Sequence, residues 1–360
     1  MIRVALLFGG RSSEHGISCA TAAGVLSAID RERFEVVPVG ITPAGAWTLQ
    51  PDDPQLFSLR ADLPAVVDNG TRVRLPDSAT SREFTLVAAD GSESSLGAID
   101  VVFPILHGRF GEDGTVQGEL ELLGLPYVGN GVLASALAMD KHMTKSVLVA
   151  AGVEVAPWVT LTPSRWAGSR ELFERRIRAL GLPVFVKPSR AGSSVGVTKV
   201  ADWAELDAAV EVAFDEDTTV LVEAAIVGRE VECAVLEGRA GAAPRVSVAG
   251  EIVVTGREFY DFEAKYLDPD AAQLICPAEL GEGELREMQR IAARSFEAIG
   301  GAGLARVDFF LSGEGFIVNE INTMPGFTPI SMFPSCWQAS GMSYPELITE
   351  LIELGIAARR

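Results

Sequence analysis

The sequence predicts a mixed α/β protein of two or three domains. Its 360 residues exceed what one hydrophobic core usually organises. The chain begins with an apolar strand, a glycine-containing loop, a helix and a second strand, an order typical of a parallel α/β sheet. Two later stretches each combine short apolar strands with a helix. We therefore expect an N-terminal parallel α/β domain followed by two further domains.

The first predicted domain covers residues 1–130. Its elements are a strand at 4–8, a polar loop at 11–16, a helix at about 18–29 and strands at 33–41 and 101–106. Residues 42–97 are rich in Pro, Asp, Gly and Ser and contain short alternating runs. This composition indicates an insertion of loops and small β-hairpins.

The second and third predicted domains cover residues 131–223 and 224–360. For the second we expect a helix at 133–151, strands at 184–187 and 220–223, and a loop at 188–196. For the third we expect a strand at 230–236, a loop at 259–267, a helix near 284–299 and a tight hairpin at 305–321.

Charge and composition exclude several classes of protein. With 30 basic and 49 acidic residues the net charge is −19, and so acidic a surface repels nucleic acid and anionic lipid. No uncharged apolar run approaches the ~18 residues of a membrane-spanning helix, and the start of the chain has no signal-peptide pattern. Four cysteines lie far apart, without metal-ligand spacing or a disulfide framework. We expect a soluble, reduced, cytoplasmic protein that binds neither nucleic acid nor membrane.

The strongest local signal is the predicted hairpin. Side chains alternate along a strand, so Arg306 and Asp308 share one face, while Glu320 and Asn322 share a face of the returning strand. A glycine-bearing turn would bring these faces together. Two carboxylates and an amide oxygen form a hard oxygen cluster suited to Mg²⁺, which completes its coordination with water and nucleotide phosphates. On spacing alone, a solvated hairpin face explains the same residues.

A second signal is the glycine- and serine-containing loop at 188–196, which follows a buried strand. Its backbone N–H groups are able to close on phosphate oxygens, and Lys187 at the strand end would place positive charge on the same phosphates. The residue order matches neither the Walker A loop nor the G-x-G-x-x-G dinucleotide pattern. In isolation, a flexible surface loop is the simpler interpretation, and Lys141 reads as a solvated helix lysine.

Seven segments together carry a family pattern. They are residues 8–15 (FGGRSSEH), 107–114 (HGRFGEDG), 139–141 (MDK), 187–196 (KPSRAGSSVG), 260–266 (YDFEAKY), 306–308 (RVD) and 319–326 (NEINTMPG). In this order, over nearly the whole chain, they resemble the ATP-grasp superfamily and within it the D-alanine–D-alanine ligases. The stretch at 42–97 is the part least covered. The resemblance implies a three-domain ATP-grasp architecture in which the second and third domains enclose ATP.

The resemblance also implies a reaction. Two D-alanines would be ligated through a D-alanyl phosphate, with ATP converted to ADP and phosphate, as a precursor step of bacterial peptidoglycan synthesis. Phosphoryl transfer depends mainly on charge neutralisation and in-line positioning. The implied ATP-binding residues are Lys141, Lys187, Ser193, Ser194, Glu223, Ala225, Ile226, Glu230 and Lys265. The implied metal ligands are Asp308, Glu320 and Asn322, for two Mg²⁺ ions with Mn²⁺ as a substitute.

Further residues are implied to bind and close over the amino acids. Glu14 would pair with the ammonium of the first D-alanine and, with Ser193 and Tyr266, form a hydrogen-bonded set that closes the loops. Taken alone, Glu14 would be a surface carboxylate or a cap of the following helix. His107 would lie near the acyl phosphate, although a lone histidine is usually a structural hydrogen-bonding group.

The second step needs its own groups. Attack by the amine of the second D-alanine creates an oxyanion, for which Arg306 and the backbone N–H of Gly326 are the implied donors. Ser331 and the backbone at Met332 would receive the carboxylate of the second D-alanine. Relatives that make D-alanyl-D-lactate replace the lid tyrosine, so Tyr266 favours an amine nucleophile.

Alternatives remain at this stage. One is a D-alanine–D-lactate ligase or another ATP-grasp carboxylate–amine ligase. The other is a non-catalytic nucleotide-binding relic, which would be expected to have lost Lys187, Arg306, Asp308 or Glu320; all four are present. Relatives are commonly dimers, so a homodimer is implied.

Overall fold

The computed structural model describes residues 1–59, 63–192, 194–254 and 272–358. Within these ranges the strands are β1 (Ile2–Gly9), β2 (Phe34–Ile41), β3 (Trp47–Leu49), β4 (Arg72–Arg74), β5 (Glu83–Val87), β6 (Glu93–Ala98), β7 (Val101–Pro104), β8 (Trp158–Leu161), β9 (Val184–Pro188), β10 (Thr198–Val200), β11 (Val220–Ala224), β12 (Arg229–Leu236), β13 (Arg245–Val254), β14 (Ala272–Ile275), β15 (Leu304–Ser312) and β16 (Gly315–Asn322). The helices are α1 (His15–Ala28), α2 (Thr115–Leu122), α3 (Val132–Met139), α4 (Lys141–Ala150), α5 (Pro163–Gly168), α6 (Arg170–Arg178), α7 (Leu206–Glu216), α8 (Glu282–Ala298), α9 (Met332–Ala339) and α10 (Tyr344–Ala357).

The first sheet has the strand order β3-β2-β1-β7. β1 pairs parallel with β2 and with β7, which confirms the predicted parallel core. The apolar centre of β1 is fully buried because side chains pack on both faces of the sheet. β3 joins this sheet antiparallel to β2, so part of the insertion extends the main sheet.

The rest of the insertion forms a small sheet of its own. β4, β5 and β6 pair antiparallel in sequence order. The prediction of short hairpins in residues 42–97 is therefore confirmed for these strands. The insertion also contributes Trp47–Leu49 to the main sheet as an antiparallel edge strand, which the composition did not indicate.

The second sheet is antiparallel, in the order β10-β9-β11-β8. Alternate residues such as Val186 and Val222 pack in one core with Phe173 of α6 and Val210 of α7. The period of two along each strand leaves polar side chains of β9 and β11 on the opposite face. That face is the one available to a ligand.

The helix predicted at 133–151 is two helices. Asp140 between α3 and α4 has an extended backbone (φ −96°, ψ 106°) and its carboxylate accepts a hydrogen bond from Met143 N at 3.1 Å. Ser189 Oγ donates to the same carboxylate oxygen at 2.6 Å. The break exists because Asp140 caps α4 and is fixed there by the loop that follows β9.

The third sheet is antiparallel, in the order β14-β13-β12-β15-β16. Residues of β12 and β15 such as Val231 and Phe309 pack in one core with Met288 and Phe296 of α8. α9 lies against β13, where Met332 comes so close to Gly250 that a Cβ at position 250 would collide with it. The helix predicted near 284–299 is confirmed as α8.

The end of the chain returns to the first sheet. Phe333, Trp337, Tyr344 and Leu351 lie in the same hydrophobic core as residues of β1 and β7. Asn130, at the end of the first predicted domain, is buried and its Nδ2 donates to two backbone carbonyl oxygens of the third segment, at 2.6 and 3.0 Å. These contacts hold the first and third segments together. Among helices of the described ranges, none has the length and apolar character that a membrane crossing requires.

Candidate active site

The hairpin β15–β16 brings the predicted oxygen cluster together. Asp308 lies opposite Glu320 and Arg306 lies opposite Asn322 in the antiparallel register. Asn322 Nδ2 donates to Asp308 Oδ2 at 2.9 Å. Residues opposite each other in an antiparallel pair share a face, so these four polar residues lie on one side of the hairpin. The bulge between Asp308 and Phe309 then pairs Phe309 with Val318, and both side chains enter the core. The predicted convergence of the two strand faces is confirmed.

Arg306 is the centre of this face. Its Nε and Nη2 donate to the two oxygens of Asp308, each at 2.7 Å. A second carboxylate, Glu232 of β12, is 3% exposed and lies 3.0 Å from Arg306 Nε. These two carboxylates raise the pKa of the buried Arg306 guanidinium despite the opposing effect of desolvation. Sequence reasoning missed Glu232 because it reads as one of several acidic residues in an apolar strand.

The donor chemistry of the hairpin fits a hard cation. Asp308, Glu320 and Asn322 offer carboxylate and amide oxygens, and two facing carboxylates repel unless positive charge lies between or beside them. In the described ranges, no group of three or more His, Cys, Asp or Glu side chains is arranged to hold a metal ion by itself. A cation at this hairpin would therefore take further ligands from water and substrate, as Mg²⁺ does with nucleotide phosphates.

A second charged cluster is formed by two lysines that share one buried carboxylate, Glu223 of the second sheet. Lys187 Nζ of β9 donates to Glu223 Oε1 of β11 at 2.7 Å, and Lys145 Nζ of α4 lies 2.6 Å from Glu223 Oε2. The side chains of Lys145 and Glu223 are 2% and 4% exposed. Burial lowers the pKa of Lys145, while the two lysines outweigh burial and lower the pKa of Glu223. Lys145 was missed by sequence reasoning, because its spacing is that of an ordinary helix lysine.

Replacing Glu223 with Gln is expected to lower the free energy of unfolding by about 3–5 kcal/mol, because two buried ammonium groups lose their counter-charge. Urea unfolding followed by circular dichroism measures this change. The matched control is Glu93→Gln, since Glu93 pairs with Arg74 where both side chains are about half exposed. Solvent screens this pair, so the change should leave the free energy of unfolding nearly unaltered. Equal effects of the two substitutions would contradict the assignment of a buried ion triad.

The loop after β9 is anchored by Lys141. Lys141 Nζ donates to Ala191 O at 2.6 Å, and its backbone N donates to Ser189 O at 2.9 Å. Ser194 has a left-handed backbone with φ +60°, which is uncommon for a residue with a side chain. The side chain of Lys141, the first residue of α4, therefore binds the loop, and the interpretation as a merely solvated helix lysine was wrong.

Glu14 reaches the same loop from the first domain. It precedes α1 but its side chain makes no capping hydrogen bond, so the cap interpretation was wrong. Its Oε2 would lie 2.8 Å from a Cβ built on Gly108 and 3.2 Å from one built on Gly192. A side chain at position 108 would displace the carboxylate, and one at position 192 would crowd it. The carboxylate thus lies between the loop at 107–114 and the loop at 188–196.

His107 connects the first and third segments. Its Nδ1 lies 3.1 Å from Met324 O and donates to that carbonyl. Its Nε2 is buried and has no hydrogen-bond partner among the described residues. Burial lowers the pKa of His107; the Glu14 carboxylate opposes this effect and the Arg306 guanidinium adds to it. His107 is therefore a neutral imidazole within electrostatic reach of both groups, with an acceptor nitrogen suited to a polar ligand.

Glu112 is a further carboxyl group that sequence reasoning did not assign. Gly108 N donates to Glu112 Oε1 at 2.8 Å. Desolvation, together with the nearby Glu14 carboxylate, raises the pKa of Glu112 from 4.5 to about 8. The folded protein therefore keeps Glu112 protonated at neutral pH.

This shift predicts a pH dependence of stability. An unfolded chain ionises Glu112 near pH 4.5 and the folded chain only near pH 8, so the folded state loses stability as the pH rises between these values. Glu112→Gln retains a neutral side chain with an acceptor oxygen. We expect melting temperatures close to wild type at pH 5 and higher than wild type by a few degrees at pH 8. A constant difference between the two proteins across this range would contradict the raised pKa.

The predicted site for the second amino acid lies at the start of α9. Ser331 Oγ accepts a hydrogen bond from Thr328 N at 3.1 Å, and it would lie 3.2 Å from a Cβ built on Gly326. Met332 is the first residue of α9, so the helix N-terminus, where backbone N–H groups favour a carboxylate, opens beside Gly326. The structure thus places Gly326, Ser331 and Met332 together.

The predicted adenine and ribose residues follow β11. Ala225 N donates to Pro183 O at 3.1 Å, and Ile226 is half-buried next to the exposed Val227. Glu230 of β12 lies opposite Phe310 of β15 in the register. Ser193, Lys265 and Tyr266 lie outside the described residues, as does the predicted loop at 259–267.

Two protein-family models match this chain. The D-ala D-ala ligase N-terminus model matches residues 3–130 and the D-ala D-ala ligase C-terminus model matches residues 147–353. A D-alanine–D-alanine ligase of Arthrobacter sp. (strain FB24) is 52% identical over 358 residues, covering 98% of this chain and 94% of the relative. A D-alanine–D-alanine ligase of Nocardia farcinica is 52% identical over 363 residues, covering 99% and 97%.

A solved structure shares the fold. The crystal structure of the VanG D-Ala:D-Ser ligase from Enterococcus faecalis has a TM-score of 0.83 at 34% identity, covering 98% of this chain and 99% of that chain. The three larger sheets and the fold shared with this solved ligase define an ATP-grasp enzyme. With both family models matched over most of its length, the chain belongs to the D-alanine–D-alanine ligase family.

Proposed function

We propose that this chain joins two D-alanines into D-alanyl-D-alanine while ATP is converted to ADP and phosphate, and so supplies the dipeptide for bacterial peptidoglycan. One observation carries the proposal. In a chain 52% identical to such ligases over nearly its full length, buried lysines of the second sheet and the Arg306–Asp308–Glu320 face of the third sheet are both present. The negative charge of Glu320 contributes an increase to the pKa of Lys145, against the larger effect of burial. The two clusters therefore interact electrostatically.

In the first step the carboxylate of one D-alanine attacks the γ-phosphorus of ATP and ADP leaves, which gives D-alanyl phosphate. Lys141 and Lys187 would contact the nucleotide phosphates, and Ser194 with the neighbouring N–H groups would cover them. By the motif match, Ser193 and Lys265 would belong to the same shell. Glu223 supports this arrangement because it holds Lys187 in place and keeps its charge compensated before ATP binds.

The residues proposed to bind the metal ions lie on the hairpin β15–β16. Asp308, Glu320 and Asn322 would hold two Mg²⁺ ions, with Mn²⁺ as a substitute. Bound there, the ions would neutralise the phosphate charge that develops during transfer. Glu232 would then remain as a counter-charge for Arg306 while Asp308 binds a cation.

In the second step the amine of the other D-alanine attacks the acyl carbon, and phosphate leaves as the amide bond forms. Arg306 and the Gly326 N–H would stabilise the tetrahedral oxyanion, and the start of α9 at Ser331 and Met332 would receive the incoming carboxylate. Glu14 would bind the ammonium of the first D-alanine. The acceptor nitrogen of His107, buried beside Glu14 and Arg306, would orient the intermediate.

Other elements of the proposal concern the nucleotide and the assembly. Glu223, Ala225 and Ile226 would line the adenine, and Glu230 would bind the ribose hydroxyls. We propose domains at 1–130, 131–223 and 224–360. The first and third would be joined by the hydrophobic core that α9 and α10 share with the first sheet. We also propose a cytoplasmic homodimer, which sedimentation of the purified chain would test.

The rival function is ligation of D-alanine to a different second substrate, because the VanG structure is that of a D-Ala:D-Ser ligase. A coupled ADP-release assay with product identification separates the possibilities. We expect ADP only when ATP, Mg²⁺ and D-alanine are all present, with D-alanyl-D-alanine as the main product when D-serine or D-lactate is added in equal amount. A main product containing D-serine or D-lactate, or better turnover with L-alanine, would overturn the assignment.

Tyr266 is proposed to favour the amine nucleophile, by closing the lid with Glu14 and Ser193. Tyr266→Phe is expected to increase the share of D-alanyl-D-lactate when D-lactate competes with D-alanine, because the hydroxyl that completes this hydrogen-bonded set is lost. Chromatography of the products measures the share. The control is Tyr127→Phe. The Tyr127 hydroxyl donates a hydrogen bond to Glu121 at 2.8 Å, and neither residue belongs to the proposed site. An unchanged product ratio for Tyr266→Phe would contradict the role.

A further inference from the structure

Two cysteines that are sixty positions apart in the chain meet in the fold. Cys276, directly after β14, and Cys336, in α9, have their Sγ atoms 3.8 Å apart. All four cysteines are free thiols. The contact between two of them was not predictable from spacing, because it depends on how α9 crosses the third sheet.

The two thiols differ in access and in acidity. Cys336 is fully buried, whereas Cys276 is half-buried at the end of an edge strand. The hydrogen bond with Cys336 lowers the pKa of Cys276, and the same contact together with burial raises the pKa of Cys336. A thiolate is the reactive form of cysteine. Cys276 therefore has the properties of an attacking thiol and Cys336 those of a resolving thiol.

The distance permits a covalent bond. A disulfide requires a sulfur separation of about 2.05 Å, so the observed 3.8 Å must shorten by roughly 1.8 Å. Rotation about the side-chain torsions of two adjacent cysteines supplies movements of this size. The remaining cysteines differ: Cys19 and Cys233 are fully buried and burial raises the pKa of both, to about 12 for Cys19.

We propose that Cys276 and Cys336 form a redox modification site at which a hydroperoxide makes a reversible disulfide. The Cys276 thiolate attacks the terminal peroxide oxygen and the O–O bond breaks, which gives a sulfenic acid. The leaving oxygen takes a proton from solvent and departs as an alcohol, or as water when the oxidant is hydrogen peroxide. Cys336 sulfur then attacks the Cys276 sulfur, its proton is released, and the hydroxyl leaves as water. Both sulfurs are oxidised and the hydroperoxide is reduced; a small-molecule dithiol reverses the bond.

The disulfide would tie α9, which begins at the proposed acceptor site, to the edge strand β14. α9 begins at Met332, which with Ser331 is proposed to receive the second D-alanine, and Cys336 lies one turn along the same helix. β14 follows the segment that contains Lys265 and Tyr266 in sequence. A covalent link between β14 and α9 is expected to restrict the approach of the second D-alanine. This consequence rests on the proposed function, whereas the disulfide itself does not.

Hydrogen peroxide treatment of the full-length protein, followed by thiol titration after denaturation and peptide mass mapping, tests the site. We expect the loss of two of four thiols, a peptide pair joined through Cys276 and Cys336, and recovery of both thiols with dithiothreitol. Cys276→Ser should abolish the link, and Cys336→Ala should leave Cys276 as a sulfenic or sulfinic acid. Cys19→Ala is the control and should form the link as wild type does. An unchanged thiol count, or a link that includes Cys19 or Cys233, would overturn the proposal.

Kinetics test the consequence separately. Oxidised wild-type enzyme is expected to show an apparent KM for the second D-alanine raised several-fold, restored by dithiothreitol, while oxidised Cys276→Ser shows the KM of the untreated protein. A mapped Cys276–Cys336 disulfide with unchanged kinetics would refute the coupling to the acceptor site. A protein that forms the disulfide but has no ligase activity under reducing conditions would instead contradict the proposed function.

Discussion

Asp308→Asn and Glu320→Gln are each expected to lower kcat by at least about a thousandfold, which corresponds to roughly 4 kcal/mol of transition-state stabilisation. The two carboxylates lie opposite each other in the β15–β16 register, with Asn322 Nδ2 bonded to Asp308 at 2.9 Å. Neutral amides keep the shape of the side chains but remove the negative charge that holds a divalent cation. The Mg²⁺ concentration for half-maximal activity should therefore also rise.

The control for these variants is Glu314→Gln, in the exposed turn of the same hairpin. It should leave both kcat and the Mg²⁺ dependence unchanged. Calorimetric titration with Mg²⁺ and a non-hydrolysable ATP analogue gives a measurement that does not depend on turnover. Near wild-type rates for Asp308→Asn, or an unchanged Mg²⁺ requirement, would contradict the metal assignment.

Arg306→Lys is expected to lower kcat by about 10²–10³, while the KM for ATP changes little. Lysine keeps the charge but loses the planar pair of N–H groups that Arg306 now directs at both Asp308 oxygens. The magnitude is that of losing one preorganised donor to an oxyanion. Steady-state kinetics with each substrate varied separately measures the effect.

Arg245→Lys is the matched control for Arg306→Lys. Arg245 also pairs with a carboxylate, but its partner is Glu350 of α10, which is not among the proposed metal ligands or amino-acid-binding residues. Its replacement should change stability slightly and kcat hardly at all. If Arg306→Lys behaved like this control, Arg306 would be a structural ion-pair partner and the oxyanion role would be wrong.

The hairpin shows what sequence reasoning was able to predict. Alternation along two strands and a glycine turn determined that Asp308 and Glu320 face the same side, and the observed register confirms it. A local pattern sufficed because the strands are neighbours in sequence. The first parallel sheet was predictable for the same reason, since β1, α1 and β2 follow one another directly.

Long-range contacts were not predictable. Lys145 and Glu232 read as ordinary charged residues of a helix and a strand, and their roles depend on burial against Glu223 and Arg306. The break at Asp140 depends on Ser189, which comes from a loop far along the chain. The net charge of −19 likewise gave no sign that Lys145 and Lys187 meet at Glu223.

Transfer of ¹⁸O from the D-alanine carboxylate tests the central claim most directly. With D-alanine labelled at both carboxylate oxygens, attack on ATP places one labelled oxygen between carbon and phosphorus, and the amine then displaces that oxygen with the phosphate. Mass spectrometry is therefore expected to find one ¹⁸O in inorganic phosphate for each D-alanyl-D-alanine formed. Unlabelled phosphate, or label in AMP, would contradict activation through D-alanyl phosphate.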